Sequence, residues 1–220
     1  MRDEARAYVP ALRFHGLTHF YDRVMAAVFD EEALRRRLLE QARVQPGQRV
    51  LDLGCGTGTL LLMLKTQCPG AELVGLDGDP AVLALARRKA AAAGLSVELR
   101  EGLTTAPPLE PASFDRILSS LLFHHLARDH KRRTLAAARF LLKPGREIHV
   151  LDWGRAQNIV MRIAFLAVEL LDGFSTTADN VAGLLPSFME EAGFARVAEA
   201  HRENTFFGTL SYHRGERETA

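Results

Sequence analysis

The sequence predicts an α/β fold: a mostly parallel sheet covered by helices on both faces. Three observations carry that prediction. Short apolar runs of strand length alternate with helix-length segments between residues 49 and 155. Those strands read as apolar runs, as expected when both faces of a sheet are buried. The last two runs are joined by only a few residues, which suits an antiparallel hairpin and not a parallel crossover.

The elements follow in order. Residues 11–44 read as helical before any strand, with Asp30 as an N-cap and Arg35-Arg36-Arg37 as a solvated face. Arg49 to Leu53 is the first strand, followed by a glycine-rich turn and a helix from Leu60 to Gln67. Glu72 to Leu76 is the second strand. Asp79-Pro80 then pairs an N-cap with proline at the first helical position, and Gly94 stops that helix. Ser96 to Arg100 and Phe114 to Ser119 are the third and fourth strands. Asp129 is expected to cap a helix ended by Lys143-Pro144-Gly145, with Lys131-Arg132-Arg133 on its solvated face. Glu147 to Leu151 is the fifth strand and holds His149 as a packed core residue. A long apolar-faced helix, Ala156 to Asp172, comes next. A second helix runs from Asn180 to Ala192, with Asp179-Asn180 as its start and Gly193 as its stop. Ala195 to Glu199 and Thr205 to Tyr212 form the closing hairpin.

Composition bounds the function. A chain of 220 residues has room for one domain with a sizeable core. Lys plus Arg total 28 against 27 Asp plus Glu, a net charge of +1. That balance lacks the basic excess that phosphate neutralisation needs, so nucleic acid is not the expected partner. Two cysteines, Cys55 and Cys68, support neither a disulfide framework nor a zinc site, and a cytoplasmic setting is expected. Met1 to Arg6 lead into no apolar signal core, and no apolar run is long enough to span a membrane. No clustered Asp/Asn pattern for Mg²⁺ is present, so no metal is expected.

The glycine-rich turn is the most informative segment. It reads Val50-Leu51-Asp52-Leu53-Gly54-Cys55-Gly56-Thr57-Gly58, between a strand and a helix. Glycines there allow positive φ and let a ligand approach the main chain. A dinucleotide fold prefers G-x-G-x-x-G, with a pyrophosphate at the helix N-terminus, whereas the spacing here is G-x-G-x-G. Asp52 beside the turn suits a ligand with an ammonium group. Asp77, ending Val74-Gly75-Leu76-Asp77, sits where a carboxylate accepts hydrogen bonds from ribose hydroxyls.

Asp52-Leu53-Gly54-Cys55-Gly56-Thr57-Gly58 followed by Gly75-Leu76-Asp77 resembles the Rossmann-like S-adenosylmethionine-dependent methyltransferases. Residues 49–152 carry the resemblance closely. It extends toward the ubiquinone/menaquinone-type C-methyltransferase group through His19-Phe20-Tyr21-Asp22, Ser113-Phe114-Asp115, Ser119 to Leu126, Leu142 to Gly145, and Asn180 to Phe194. The resemblance implies a seven-stranded sheet whose last strand is antiparallel. It implies S-adenosyl-L-methionine as cofactor and S-adenosyl-L-homocysteine as product. Gly54, Cys55 and Gly56 would line the methionine part, and Asp52 would hold its amino group. Asp77 would bind the ribose, Gly78 would lie beside the adenine, and Ser119 would offer its backbone carbonyl to the ammonium. Tyr21 would contact the cofactor from an N-terminal segment, with His15 and His19, that closes over it. One position departs from the family: Gly102-Leu103-Thr104 stands where a G-D-A triplet often supplies an Asp to the adenine. The Leu103 N–H and the Thr104 hydroxyl are the groups left for that task.

Methyl transfer from a sulfonium is an in-line displacement that needs alignment and exclusion of water above all. A general base is needed only where the acceptor loses a proton. His124 and His125 follow the fourth strand on the ligand-binding edge, and adjacent side chains diverge, so one of the two would face the pocket. Asp152-Trp153 at the end of the fifth strand could shape an acceptor pocket, and Met161 and Phe165 of the following helix could roof it. The expected division is a helical cover over 1–45, a cofactor-binding core over 46–155, a helical insertion over 156–192 and a hairpin over 193–220. The expected partner is a small apolar or aromatic methyl acceptor. N- or O-methylation of a lipid headgroup or natural product stays open, as does a non-methylating S-adenosylmethionine-binding protein. Monomer and homodimer are equally compatible with the sequence.

Overall fold

The computed structural model describes residues 30–157, 161–162, 174–205 and 208–219. Tyr21, with the N-terminal cover as far as residue 29, lies outside the described residues, and so does most of the expected helix from Ala156 to Asp172.

In chain order the elements are α1 (Glu31–Ala42), β1 (Arg49–Leu53), α2 (Thr59–Gln67), β2 (Glu72–Asp77), α3 (Pro80–Ala92), β3 (Glu98–Glu101) and β4 (Phe114–Ser120). A single 3-10 turn (Phe123–His125) follows, then α4 (Arg128–Leu141), β5 (Leu142–Trp153), α5 (Phe174–Val181), α6 (Leu185–Glu191), β6 (Ala195–Thr205) and β7 (Gly208–Arg217). The seven strands form one sheet in the order β3-β2-β1-β4-β5-β7-β6. β1 to β5 pair in parallel, and β7 runs antiparallel between β5 and β6. This is the expected Rossmann-like, seven-stranded architecture with an antiparallel last strand. The order reverses at β1, between β2 and β4, where ligands of open α/β sheets bind outside the strand C-termini.

Apolar strands force a core on each face. On one face Leu34, Leu38 and Leu39 of α1 and Leu60, Leu61 and Leu64 of α2 pack over Val50, Leu118, Leu151 and Tyr212. On the other, Leu135 and Leu141 of α4 and Phe188 and Met189 of α6 cover Leu51, Ile117, Ile148 and Val150. The caps follow local chemistry. Asp30 accepts the Ala33 N–H at 2.9 Å, and Asp79 accepts the Ala81 N–H at 2.8 Å. His149 is buried, with Nδ1 3.1 Å from the Gln41 amide nitrogen.

Five expectations change. The N-cap of α4 is Ala127; Asp129 lies in the first turn, where its charge faces the helix dipole without capping it. Lys131 is fully buried, because its ammonium bonds the Thr176 carbonyl at 2.6 Å and pairs with Asp179 at 3.5 Å. Arg35 is only 19% exposed, tucked against Glu31, so it does not share the solvated face of Arg36. The expected helix from Asn180 to Ala192 is two helices, broken at Gly183 (φ +73°) and restarted with Pro186 in its first turn. Asp179 and Asn180 therefore end α5. β5 starts at Leu142, but Lys143 to Arg146 bulge out between the pairs Phe114–Leu142 and Arg116–Glu147. Among the described residues no helix is long and apolar enough to cross a membrane, and no three His, Cys, Asp or Glu side chains cluster to hold a metal.

Candidate active site

The glycine-rich turn folds back over the end of β2. The N–H groups of Gly54 and Cys55 both donate to the Leu76 carbonyl at 2.9 Å. Gly54 (φ +74°) and Gly56 (φ +53°) take left-handed conformations, but their surroundings differ. A Cβ on Gly54 would lie 2.7 Å from Leu122 Cδ1, whereas one on Gly56 would meet nothing within 4 Å. Gly75 of β2 is the floor beneath the turn. A Cβ there would lie 2.5 Å from Leu61 and 2.9 Å from Cys55 Sγ. Burial, with Asp52 and Asp77 nearby, pushes the Cys55 thiol pKa up, so Cys55 is a packed thiol and not a nucleophile.

Two carboxylates flank this turn. Asp77 is oriented by the main chain: Gly56 N–H donates to Oδ2 at 2.9 Å and Asp79 N–H to Oδ1 at 3.0 Å. Gly78 follows it, half-buried. Asp52 is buried at the C-terminal end of β1, and its Oδ2 has no hydrogen-bond partner among the described residues. Burial pushes its pKa up to about 7; Arg35 works to lower it, and Asp77 adds to the rise. Asp52 pairs with Leu118 of β4, so Ser120, two residues on, stands on the same face of the sheet. Ser120 Oγ is a second buried polar atom without a partner among the described residues.

Beyond β3, Leu103 is 55% exposed, and the Thr104 hydroxyl lies 3.0 Å from that of Thr134 on α4. Ser119 Oγ donates to the Leu53 carbonyl at 3.1 Å and ties β4 to β1. The chain leaves β4 through Leu121, held at φ +57° with its N–H donating to the Leu151 carbonyl at 2.8 Å. A left-handed leucine is a strained residue, and such strain clusters at functional sites. It turns Leu122 onto Gly54 and starts the 3-10 turn that carries both histidines.

His124 is buried, with Nδ1 2.8 Å from Asp152 Oδ1. Asp152 is fully buried at the end of β5. Its Oδ2 accepts the Phe123 N–H at 2.6 Å, and its Oδ1 accepts the Trp153 N–H at 2.7 Å and the Asn180 amide at 3.1 Å. Burial acts to raise the Asp152 pKa, but His124 and the two backbone donors outweigh it and hold the carboxyl below its usual range. His125 lies against His124 with ring centroids 3.9 Å apart and the ring planes tilted by 44°. Desolvation first, then the neighbouring imidazole, pushes the His125 pKa down to about 3, so His125 is neutral at physiological pH.

The fold thus gathers Asp52, Gly54, Cys55, Gly56, Asp77, Gly78, Ser119, His124 and His125 at one edge of the sheet, on β1, β2, β4 and the turns that follow them. Arg35, Ser120 and Asn180 are not singled out as site residues by the sequence. Each becomes visible only when strand register and helix docking are known.

Comparison with known proteins agrees with this fold. A family model described as a methyltransferase domain matches residues 50–145. The chain is 36% identical over 197 residues to the demethylmenaquinone methyltransferase of Thermus thermophilus, covering 83% of this chain and 89% of the relative. Among solved structures, phosphoethanolamine N-methyltransferase 2 of Haemonchus contortus in complex with S-adenosyl-L-methionine superposes with a TM-score of 0.70 at 14% identity, covering 85% of this chain and 53% of that one. The [4+2]-cyclase SpnF superposes at 0.66 and 15% identity, covering 86% of this chain and 82% of that one. A shared fold at such identities does not fix the chemistry. The likeness to the Thermus enzyme runs well beyond the cofactor core, and the chain belongs to the Rossmann-like S-adenosylmethionine-dependent methyltransferases.

Proposed function

We propose that the acceptor is a quinone-type aromatic ring, methylated at carbon. The observation that carries this reading is the match along 89% of a demethylmenaquinone methyltransferase, which includes segments outside the cofactor core. When bound, S-adenosylmethionine supplies an electrophilic methyl group on a positive sulfur. A quinone ring is electron-poor, so the ring must be presented in its reduced, electron-rich quinol form.

The residues fit the cofactor. Asp52 Oδ2 and Ser120 Oγ are buried polar atoms still lacking a partner among the described residues, and an ammonium group would satisfy the first. The open space at Gly56 lets a ligand lie against its backbone. Asp77, steered by two N–H donors, would take the ribose hydroxyls with its remaining lone pairs. Leu103 would cover the adenine with its exposed side chain, Gly78 would lie beside it, and Thr104 would hold that loop to α4. The Ser119 side chain is engaged with Leu53, and its backbone carbonyl would be the group that meets the ammonium. Tyr21 and the 1–45 cover would close the site from above, and the 156–192 insertion would enclose the acceptor. His124 serves as proton acceptor; His125, with its depressed pKa, is too weak a base.

Incubation of the full chain with methyl-labelled S-adenosylmethionine and a short-chain demethylmenaquinol, followed by mass spectrometry and NMR of the product, tests the reading. Label on a ring carbon, with equimolar S-adenosylhomocysteine, is the expected result. Label on oxygen, or none from a chain that binds the cofactor, overturns it.

A further inference from the structure

We infer that the cavity between the α5–α6 corner and the sheet face of β6 and β7 is a ligand site for a small organic carboxylate, separate from the cofactor cradle. The cavity measures about 190 Å³. Strand register builds its floor. Glu199 pairs with His213 and Arg202 with Ser211, and the bulge between the two pairs keeps all four side chains on one face. Two glycines let the walls come close. A Cβ on Gly154 would lie 2.0 Å from Ser211 Oγ, and one on Gly183 would lie 3.2 Å from Arg155 Cβ. Leu185 and Pro186, at the start of α6, add apolar wall.

The polar groups still unspent decide the ligand. The Arg202 guanidinium forks onto both Glu199 oxygens, so those two charges cancel, and Ser211 bonds Glu199 as well. The Asn180 amide is spent on Asp152 and the Trp153 carbonyl, and Asp152 is further met by the Phe123 and Trp153 N–H groups. Arg155 and His213 remain. Arg155 is exposed and forms no ion pair among the described residues. His213 is only 4% exposed, and its Nδ1 has no hydrogen-bond partner among the described residues. Burial outweighs Glu199 and Asp152 and holds the His213 pKa below its usual value, so the ring is neutral and carries one N–H. A carboxylate answers both residues: one oxygen meets the Arg155 guanidinium and the other accepts an Nδ1–H. The uncancelled Arg155 charge favours an anion over a neutral ligand. Volume sets the size. An apolar cavity of about 150 Å³ admits benzene, so this one takes a single-ring or short-chain acid.

Sodium benzoate is the probe, titrated into the full chain at constant ionic strength, with calorimetry and ¹⁵N NMR of labelled histidine as readouts. Benzoate should bind with a Kd of about 1 mM or tighter. It should shift the His213 signal, which is identified by its absence in His213→Gln. Benzamide has the same shape without the charge and should bind about tenfold more weakly or worse. Arg155→Gln should weaken benzoate by a similar factor while its affinity for S-adenosylhomocysteine stays within about twofold of wild type. Benzoate should bind equally well with S-adenosylhomocysteine present, because the cofactor cradle shares none of these residues. No saturable binding, or benzamide binding as tightly as benzoate, overturns the inference. So does benzoate that S-adenosylhomocysteine displaces, or that Arg155→Gln binds unchanged. Inorganic phosphate giving the same His213 shift at the same affinity overturns the organic acid in favour of an inorganic anion. None of these outcomes bears on the methyl acceptor.

Discussion

Asp52 is the residue on which stability and function pull in opposite directions. Its pKa rises on folding, from near 4 to about 7, because burial disfavours its charge. A carboxyl whose folded pKa is raised holds its proton more tightly in the folded chain. Stability without cofactor is therefore highest at low pH and falls as pH climbs from about 4 to about 7. Asp52→Asn removes that loss, so thermal unfolding of the cofactor-free chain at pH 8 should show the variant more stable by about 2–4 kcal/mol. Gly56 makes a second case. Gly56→Ala meets no protein atom within 4 Å, so it should cost only about 1–2 kcal/mol of left-handed strain while weakening cofactor binding at least tenfold. Calorimetric titration and thermal melts on the same variant separate the two effects. Asp52, Gly54, Gly56 and Asp77 were legible in the sequence because glycine and acid spacing reports backbone requirements directly. Ser120 and Arg35 were not, since register and helix docking place them and a local string carries neither.

At the scale of elements, prediction succeeded where one local rule acts alone. Asp30, Asp79 and the five parallel strands follow from capping and from apolar runs. It failed where tertiary partners decide. Lys131 sits in a basic run that reads as solvated, yet α5 buries it against Asp179 and the Thr176 carbonyl. Asp179 and Asn180 are favoured at helix starts, but here they end α5, where their side chains answer Arg128, Lys131 and Asp152. Lys131→Met removes one partner of a buried charge that Arg128 still holds. It should destabilise the fold by about 3 kcal/mol in urea melts, with cofactor affinity unchanged. Gly75→Ala tests the floor of the turn. A Cβ placed 2.5 Å from Leu61 and 2.9 Å from Cys55 Sγ forces a shift, so stability should fall by about 1–3 kcal/mol and cofactor affinity should fall with it.

The whole molecule places its chemistry at the edge where the strand order reverses. β1, β2 and β4 bring the turn, Asp77 and the histidine turn there, and β5 contributes Asp152. Most of that architecture could be read from the alternation of strands and helices and from the closing hairpin. The His124–Asp152–Asn180 junction could not, because it joins residues 28 positions apart on either side of Asp152 through packing alone. The account stands on the claim that Asp52 and Asp77 flank the cofactor, with Asp52 ionised by the ammonium group it binds. Calorimetric titration of S-adenosylhomocysteine between pH 6 and pH 8, into wild type, Asp52→Asn and Asp77→Ala, tests this most directly. Wild-type affinity should rise with pH, with proton release on binding at or below about pH 7. Asp52→Asn should bind more weakly, without that pH dependence, and Asp77→Ala should lose about 1.5–3 kcal/mol. Wild-type affinity that does not change with pH, together with full affinity in both variants, would contradict the account.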